Sequence, residues 1–365
     1  MGSDNSKAVK QNSETPATSR LLVPYPVFTY DEKHHQRINC LSFSPNKDFL
    51  VSGGEDGTVR IWELTTRKCV DVLKGHESYI TCIIALEEFV VTGSGDKSIR
   101  KWNFNNGELL GTFEGHHGMI SNLDIYENFL FSTSFDKTAR IYNFSTGECL
   151  FSLEGHTKLI SSMIVMPQRE LLLTGSGDGT VRTWNCTSGE TALTFSGHTG
   201  PILCVKVDVD KRHLYTGGDD KIVRQWDLDT AAPKTRFIGH FSAVLCLCLH
   251  RTKNMFFSGS SDRSIRRWPT QGKKGRMSSG NLRNGSIGTI IMPDGYNDEF
   301  IFAGTATGSI MCIDIFSMSP TRLYQPQLKS VPRFLILNGL MYTGTYGGEV
   351  NAWKADIATI TGGRE

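Results

Sequence analysis

The 365-residue chain has no apolar run long enough to cross a bilayer and no signal-peptide-like apolar segment near its start. Neither sign of charge dominates: 39 Lys plus Arg face 37 Asp plus Glu, a formal net charge of +2. A balance this close to neutral sets up no strong field for nucleic acid or for acidic substrates. Nine cysteines occur, yet none stands in a CxxC or other paired-ligand spacing. Cys40, Cys82, Cys204 and Cys246 instead fall at one slot of a recurring apolar segment. They read as small core residues in a reducing compartment, so the expected location is cytoplasmic. Neither a metal nor any other cofactor is expected. The adjacent pairs His34-His35 and His116-His117 each give one histidine to a repeat.

What the chain does have is a period. Gly-His recurs at Gly75-His76, Gly115-His116, Gly155-His156, Gly197-His198 and Gly239-His240, at intervals of 40, 40, 42 and 42 residues. A repeat of this length builds an array of stacked units. One unit runs from Gly75-His76 through Ile80–Ile84, Phe89–Thr92, the turn Gly93–Lys97, Ser98–Trp102 and Leu109–Phe113. Four short β-rich runs separated by Gly, Asp and Asn turns describe one four-stranded propeller blade. Weaker units extend the series. One starts at His34 and carries Ser52, Asp56 and Trp62. A seventh has Arg283, Thr307 and Ile313 at the His, Asp and Trp positions, and an eighth has Gln327, Gly347 and Trp353. The fold expected is all-β, an eight-bladed propeller, with seven blades as the alternative because the last two units are degenerate. Too few residues follow Trp353 for a fourth strand, so residues 27–31 are expected to close the last blade and hide its edge.

The recurring Gly-His, Ser/Thr, Asp and Trp positions resemble the WD-repeat β-propeller family over roughly residues 27–365. The Trp-Asp pair itself is complete only at Trp226-Asp227. The resemblance implies a hydrogen-bonded column of His, Ser/Thr, Asp and Trp within each blade. The Ser/Thr members would be Ser52, Thr92, Ser132, Thr174, Thr216 and Ser258; the acids would be Asp56, Asp96, Asp136, Asp178, Asp220 and Asp262. Such a column looks like a His-Ser-Asp triad repeated six times. A nucleophile needs one singular, exposed arrangement, so the repeated set reads as buried polar satisfaction and no enzyme is expected. Tyr142 stands where the third column needs Trp, which places its hydroxyl link in doubt. Units seven and eight are expected to rest on strand pairing and apolar packing alone. An arginine two before each aromatic (Arg60, Arg100, Arg140, Arg182, Arg224, Arg266) reads as structural stacking or inter-blade pairing.

Residues 1–20, rich in Ser, Thr, Asn and Lys, are expected to form a disordered tail ahead of a propeller at 21–365. The start Met1-Gly2-Ser3-Asp4-Asn5-Ser6 fits an N-myristoylation pattern with Gly2 as acceptor. One acyl chain gives weak membrane binding, so a second signal is needed. Arg263, Arg266, Arg267, Lys273, Lys274 and Arg276 make a candidate basic patch for peripheral membrane contact, against the plainer reading of a solvated charge run.

The resemblance places partner recognition on the top rim, where the Gly-His loops and Asp turns meet. The positions three after each histidine and just before each Asp ring the channel mouth. Arg37, Tyr79, Met119, Phe135, Leu159 and Tyr346 are the candidate protein-binding residues among them. Exposed aromatic and aliphatic groups gathered at one mouth suit a protein or peptide partner. The expected function is a non-enzymatic scaffold or adaptor, a monomeric propeller within a larger complex. The alternative is the substrate receptor of a ubiquitin ligase. Against that alternative, Arg37 is the only arginine at a rim position, and Trp226-Asp227-Leu228 continues into Asp229 where the family's adaptor box needs Arg.

Overall fold

A computed structural model of the chain describes residues 22–23, 25–208, 210, 212–270, 280–281, 285–293, 298–324 and 333–355. These residues form eight antiparallel sheets arranged as a closed ring. The first blade is typical: Ile38–Phe43, Phe49–Gly54, Val59–Glu63 and Cys69–Leu73 pair in chain order, innermost strand first. The eighth begins Arg333–Leu337, Leu340–Gly344 and Val350–Lys354. Its outer strand is Phe28–Thr29, with Phe28 opposite Ala352 and Thr29 opposite Asn351. Eight blades and the N-terminal closure thus match the expectation from the repeat.

Closure is continued by packing across the seam. His34 and Ile38 donate their amides to the Gly348 and Thr345 carbonyls. Tyr30, Leu50 and Trp62 share one apolar cluster with Tyr342, Val350 and Ala352, joining blade one to blade eight. A second N-terminal pairing has no counterpart in the repeat pattern. Leu22–Val23 adds parallel to Pro320–Tyr324, making blade seven five-stranded. The N-terminal segment therefore ties to both degenerate blades.

Between blades, the apolar faces of adjacent sheets form eight separate clusters instead of one central core. The innermost strands also bond directly to their neighbours. Asn39 Nδ2 donates to the Ile80 carbonyl and Ser161 Oγ to the Ile202 carbonyl. Cys204 and Cys246 point thiols at the Val244 and Ile287 carbonyls. All nine cysteines are free thiols. Burial raises Cys204 to about 12, so these residues act as small, neutral wall groups and not as nucleophiles.

Candidate functional site

The polar columns form in the first six blades. In blade two, His76 Nδ1 donates to Asp96 at 2.7 Å, the Thr92 hydroxyl meets His76 Nε2 at 2.8 Å, and Trp102 Nε1 donates to Thr92 at 2.9 Å. That direction of donation follows from satisfying every group in the column. Burial lowers the pKa of His76, outweighing its attraction to Asp96, so the ring stays neutral. Burial alone raises the Asp96 carboxyl, but hydrogen bonds from Ser98 and His76 outweigh it and hold the carboxyl at about 2. The same carboxylate accepts the backbone amides of Glu77 and Ser98. It therefore fastens the Gly-His loop to the Asp turn, and these two loops carry the rim.

Variation among the columns is local. Tyr142 turns its hydroxyl to the Glu114 carbonyl at 3.2 Å, while His116 keeps Ser132 and Asp136. Blade eight departs from the expectation of apolar packing alone: Trp353 Nε1 donates to Thr343 at 3.0 Å, so half a column survives. Thr305 and Thr345 then replace the missing acid in the turns of blades seven and eight, accepting the amides of Ser309 and Glu349.

The recurrent arginines are structural where the structure resolves their partners. Arg60 pairs with Glu32 at 3.0 Å and Arg224 with Asp220 at 3.2 Å. Arg140 lies over the Gly115 backbone. A Cβ there would sit 2.6 Å from its Nη1, and φ is +122°, so glycine is required on both counts.

In the first four blades the rim residues are set by one repeated backbone bond. The carbonyls of Arg37, Tyr79, Met119 and Leu159 accept the amides of Glu55, Gly95, Phe135 and Gly177. Side chains that the sequence places three after the histidine thus lie beside those just before the Asp. Tyr79, Phe135 and Tyr346 are 40%, 43% and 52% exposed, whereas Arg37, Met119 and Leu159 are partly buried. The Tyr79 hydroxyl reaches Met119 Sδ at 3.0 Å, bridging blades two and three. Its ring lies over Gly95, where a Cβ would come within 2.9 Å of it. Tyr79 and Met119 therefore touch across blades two and three, Phe135 is bonded through its amide to Met119, and these three make an apolar ledge, with Leu159 at the same station of the next blade.

Sequence reasoning overlooked Phe241, at 80% the most exposed large apolar side chain among the described residues. Its amide donates to Asp262, and its ring lies 5.7 Å from the Arg266 guanidinium. The position directly after each column histidine is His35, Glu77, His117, Thr157, Thr199 and Phe241. One apolar residue among polar ones was the available signal.

The arginines of the basic patch take up unlike positions. Arg263 is exposed in the Asp turn on the Gly-His side, while Arg266 is buried beneath Phe241. Arg267 donates to the Ile315 and Phe316 carbonyls of blade seven. These three do not share an exposed face. Lys273, Lys274, Arg276 and Gly2 lie outside the described residues. No group of three or more His, Cys, Asp or Glu that could hold a metal occurs among the described residues.

Comparison with known proteins agrees with this architecture. The family model "WD domain, G-beta repeat" matches residues 25–63, 67–103, 107–143, 147–185, 189–227 and 232–269. Each matched unit begins on the outer strand of one blade and ends on the third strand of the next. That offset is what leaves Phe28–Thr29 free to close the ring. WD repeat-containing protein 86 of Homo sapiens is 48% identical over 48 residues, 13% of each chain. Coatomer subunit beta'-2 of Arabidopsis thaliana is 32% identical over 62 residues, 16% of this chain and 7% of that protein. DDB1- and CUL4-associated factor 13 of Homo sapiens is 42% identical over 48 residues, 13% of this chain and 11% of that one. The matched stretches thus span a small part of each relative's length. The crystal structure of the computationally designed Ika8 protein superimposes with a TM-score of 0.79 at 24% identity, covering 90% of this chain and 99% of that one. With six matched repeats and their columns in place, the chain belongs to the WD40 repeat family of β-propellers.

Proposed function

We propose that the protein is a non-enzymatic scaffold whose top rim holds an apolar segment of a protein partner. WD40 propellers typically serve as protein-interaction scaffolds, and the coarse reading follows from the family. The observation that supports the finer reading is the ledge of Tyr79, Met119 and Phe135. Two of these side chains are well exposed, and all three stand on loops pinned by the columns. Aromatic side chains presented on a rigid surface gain contact area at little entropic cost, and both aromatic and Met side chains are enriched at interfaces. Phe241 extends the same apolar chemistry to blade six. The polar columns add no catalyst to this picture, because each hydroxyl is committed to a histidine and most also to an indole.

The test is proximity labelling with wild type and with a Tyr79→Asp/Met119→Asp/Phe135→Asp triple variant, after equal melting temperatures are established. Loss of a defined subset of partners is expected. Identical interactomes would remove the top-rim reading. A second reading, a substrate receptor associating with DDB1 and CUL4, draws on the short identity with DDB1- and CUL4-associated factor 13. Recovery of DDB1 among the labelled proteins of both wild type and triple variant would favour it. Tethering through an acylated Gly2 belongs to this proposal as an accessory: Gly2→Ala should then lower membrane partitioning.

A further inference from the structure

At the lower edge of each blade junction a residue two after the Trp position packs toward the preceding blade. Its register is fixed by one backbone bond repeated eight times. The amides of Leu64, Phe104, Phe144, Cys186, Leu228, Thr270, Ile315 and Ala355 donate to the carbonyls of Asp48, Glu88, Asn128, Glu170, Arg212, Asn254, Glu299 and Gly339. Where both partners are aromatic they close the junction. Phe104 meets Phe49 with ring centroids 5.3 Å apart, and Phe144 meets Phe89 at 5.8 Å. Leu228 fills the same place against Leu171.

Between blades three and four this pairing is broken. Phe129 occupies the position of Phe49 and Phe89, but the residue opposite is Cys186. The consequence is an open cavity of about 360 Å³, lined by Phe129, Phe131, Val165, Pro167 and Cys186 among others, and Phe129 is left 38% exposed. A volume in this range accommodates a small ligand or an anchoring side chain. Burial pushes the Cys186 thiol up to about 11, so it lines the cavity as a neutral group. Only two charged side chains line the cavity, the exposed Glu127 and Glu170.

We infer that this cavity is a second docking site, distinct from the top rim, that takes an aromatic side chain of a partner peptide flanked by Lys or Arg. The aromatic ring replaces the one missing at position 186, and the basic flanks answer the two glutamates. Aromatic pairs of this geometry gain beyond simple burial, and the opposite charges select which aromatic segments can stay.

The test uses the full chain and three labelled synthetic pentapeptides read by fluorescence polarisation: Ala-Arg-Phe-Arg-Ala, Ala-Arg-Ala-Arg-Ala and Ala-Glu-Phe-Glu-Ala, all with blocked ends. Saturable binding of the first is expected, at least tenfold tighter than of either other. Cys186→Phe, which rebuilds the pair seen at the two preceding junctions, should weaken that binding at least tenfold. Glu127→Lys/Glu170→Lys, at two exposed positions, should reverse the preference between the Arg- and Glu-flanked peptides, and it carries the test if Cys186→Phe fails to fold. The triple rim variant should bind the first peptide as wild type does, which separates this site from the top rim. No saturable binding at millimolar peptide, or equal affinity for the Phe and Ala peptides, would overturn the inference. So would wild-type self-association that Cys186→Phe abolishes, because that would assign the cavity to a second copy of the chain.

Discussion

Blades one to six and blades seven and eight make the same sheet with different means. The first six fix their top loops with an aspartate bonded to a buried histidine, which in turn meets a strand hydroxyl. The last two have neither that acid nor that histidine. A threonine holds the turn, and apolar side chains fill the remaining space. Phe300–Thr305 and Ile310–Asp314 of blade seven are buried along their whole length. The column is therefore one solution to a local problem, satisfying the donors of a tight loop pair, and the propeller tolerates another. The two regions should consequently fail in different ways.

The largest effect is expected at the seam between them. Tyr30 is buried against Trp62, with ring centroids 5.3 Å apart, and its amide donates to Val350. Tyr30→Ala should cost about 3–5 kcal/mol, by analogy with other large aromatic truncations, read as a fall in thermal midpoint. Its hydroxyl is buried without a hydrogen-bond partner. Tyr30→Phe removes that orphan and should leave stability equal or higher by up to about 1 kcal/mol. A large loss in Tyr30→Phe would mean that the hydroxyl, and not ring packing, closes the ring.

Next in size is Asp96→Ala, which leaves His76 Nδ1 only the Ser98 hydroxyl at 3.3 Å and strips the amides of Glu77 and Ser98 of their acceptor. A cost of roughly 2–4 kcal/mol is expected. Thr307→Ala, at the equivalent place in blade seven, should cost well under half as much. Equal losses in chemical denaturation would erase the distinction between the two regions.

Acid should separate them too. The carboxyls of Asp96, Asp178, Asp220 and Asp262 are held at about 2, below the ordinary value of 3.8. Their stabilisation is complete above pH 3.8 and is lost as pH falls through about 2, roughly 2 kcal/mol per column. His76, His156 and His240, lowered by burial, act with the same sign from pH 6.5 downward. The unfolded chain binds those protons first, so stability declines with falling pH. Protection of amides near the blade-two turn, taken relative to the intrinsic exchange rate at each pH, should fall in acid well before protection near Thr305 or Thr345. A uniform fall in protection around the ring would contradict the assignment.

Much of this was legible in the sequence because a column is local: His76, Thr92, Asp96 and Trp102 lie within one period and repeat with it. Closure by Phe28–Thr29 was legible for a related reason, since a fixed offset left one outer strand unaccounted for. The parallel Leu22–Val23 strand escaped because two residues carry no period. Arg267 was misread as a free surface cation because its acceptors, Ile315 and Phe316, lie in the next blade. The Cys186 cavity needed two blades side by side. A cysteine after Trp184-Asn185 is unremarkable until Phe129 is seen facing it without a ring.

The smallest effect is also the most discriminating. Trp353→Phe in blade eight removes one hydrogen bond, to Thr343, and should cost about 1 kcal/mol beyond the change in packing. Adding Thr343→Val deletes the other partner with little change of shape, so the double variant should recover most of that loss. In blade two the same pair, Trp102→Phe with Thr92→Val, also strips His76 Nε2 of its hydroxyl. The histidine stays buried and half satisfied, so the second substitution should deepen the loss. Coupling of opposite sign in the two double-mutant cycles is what an isolated bond and a continuous column require.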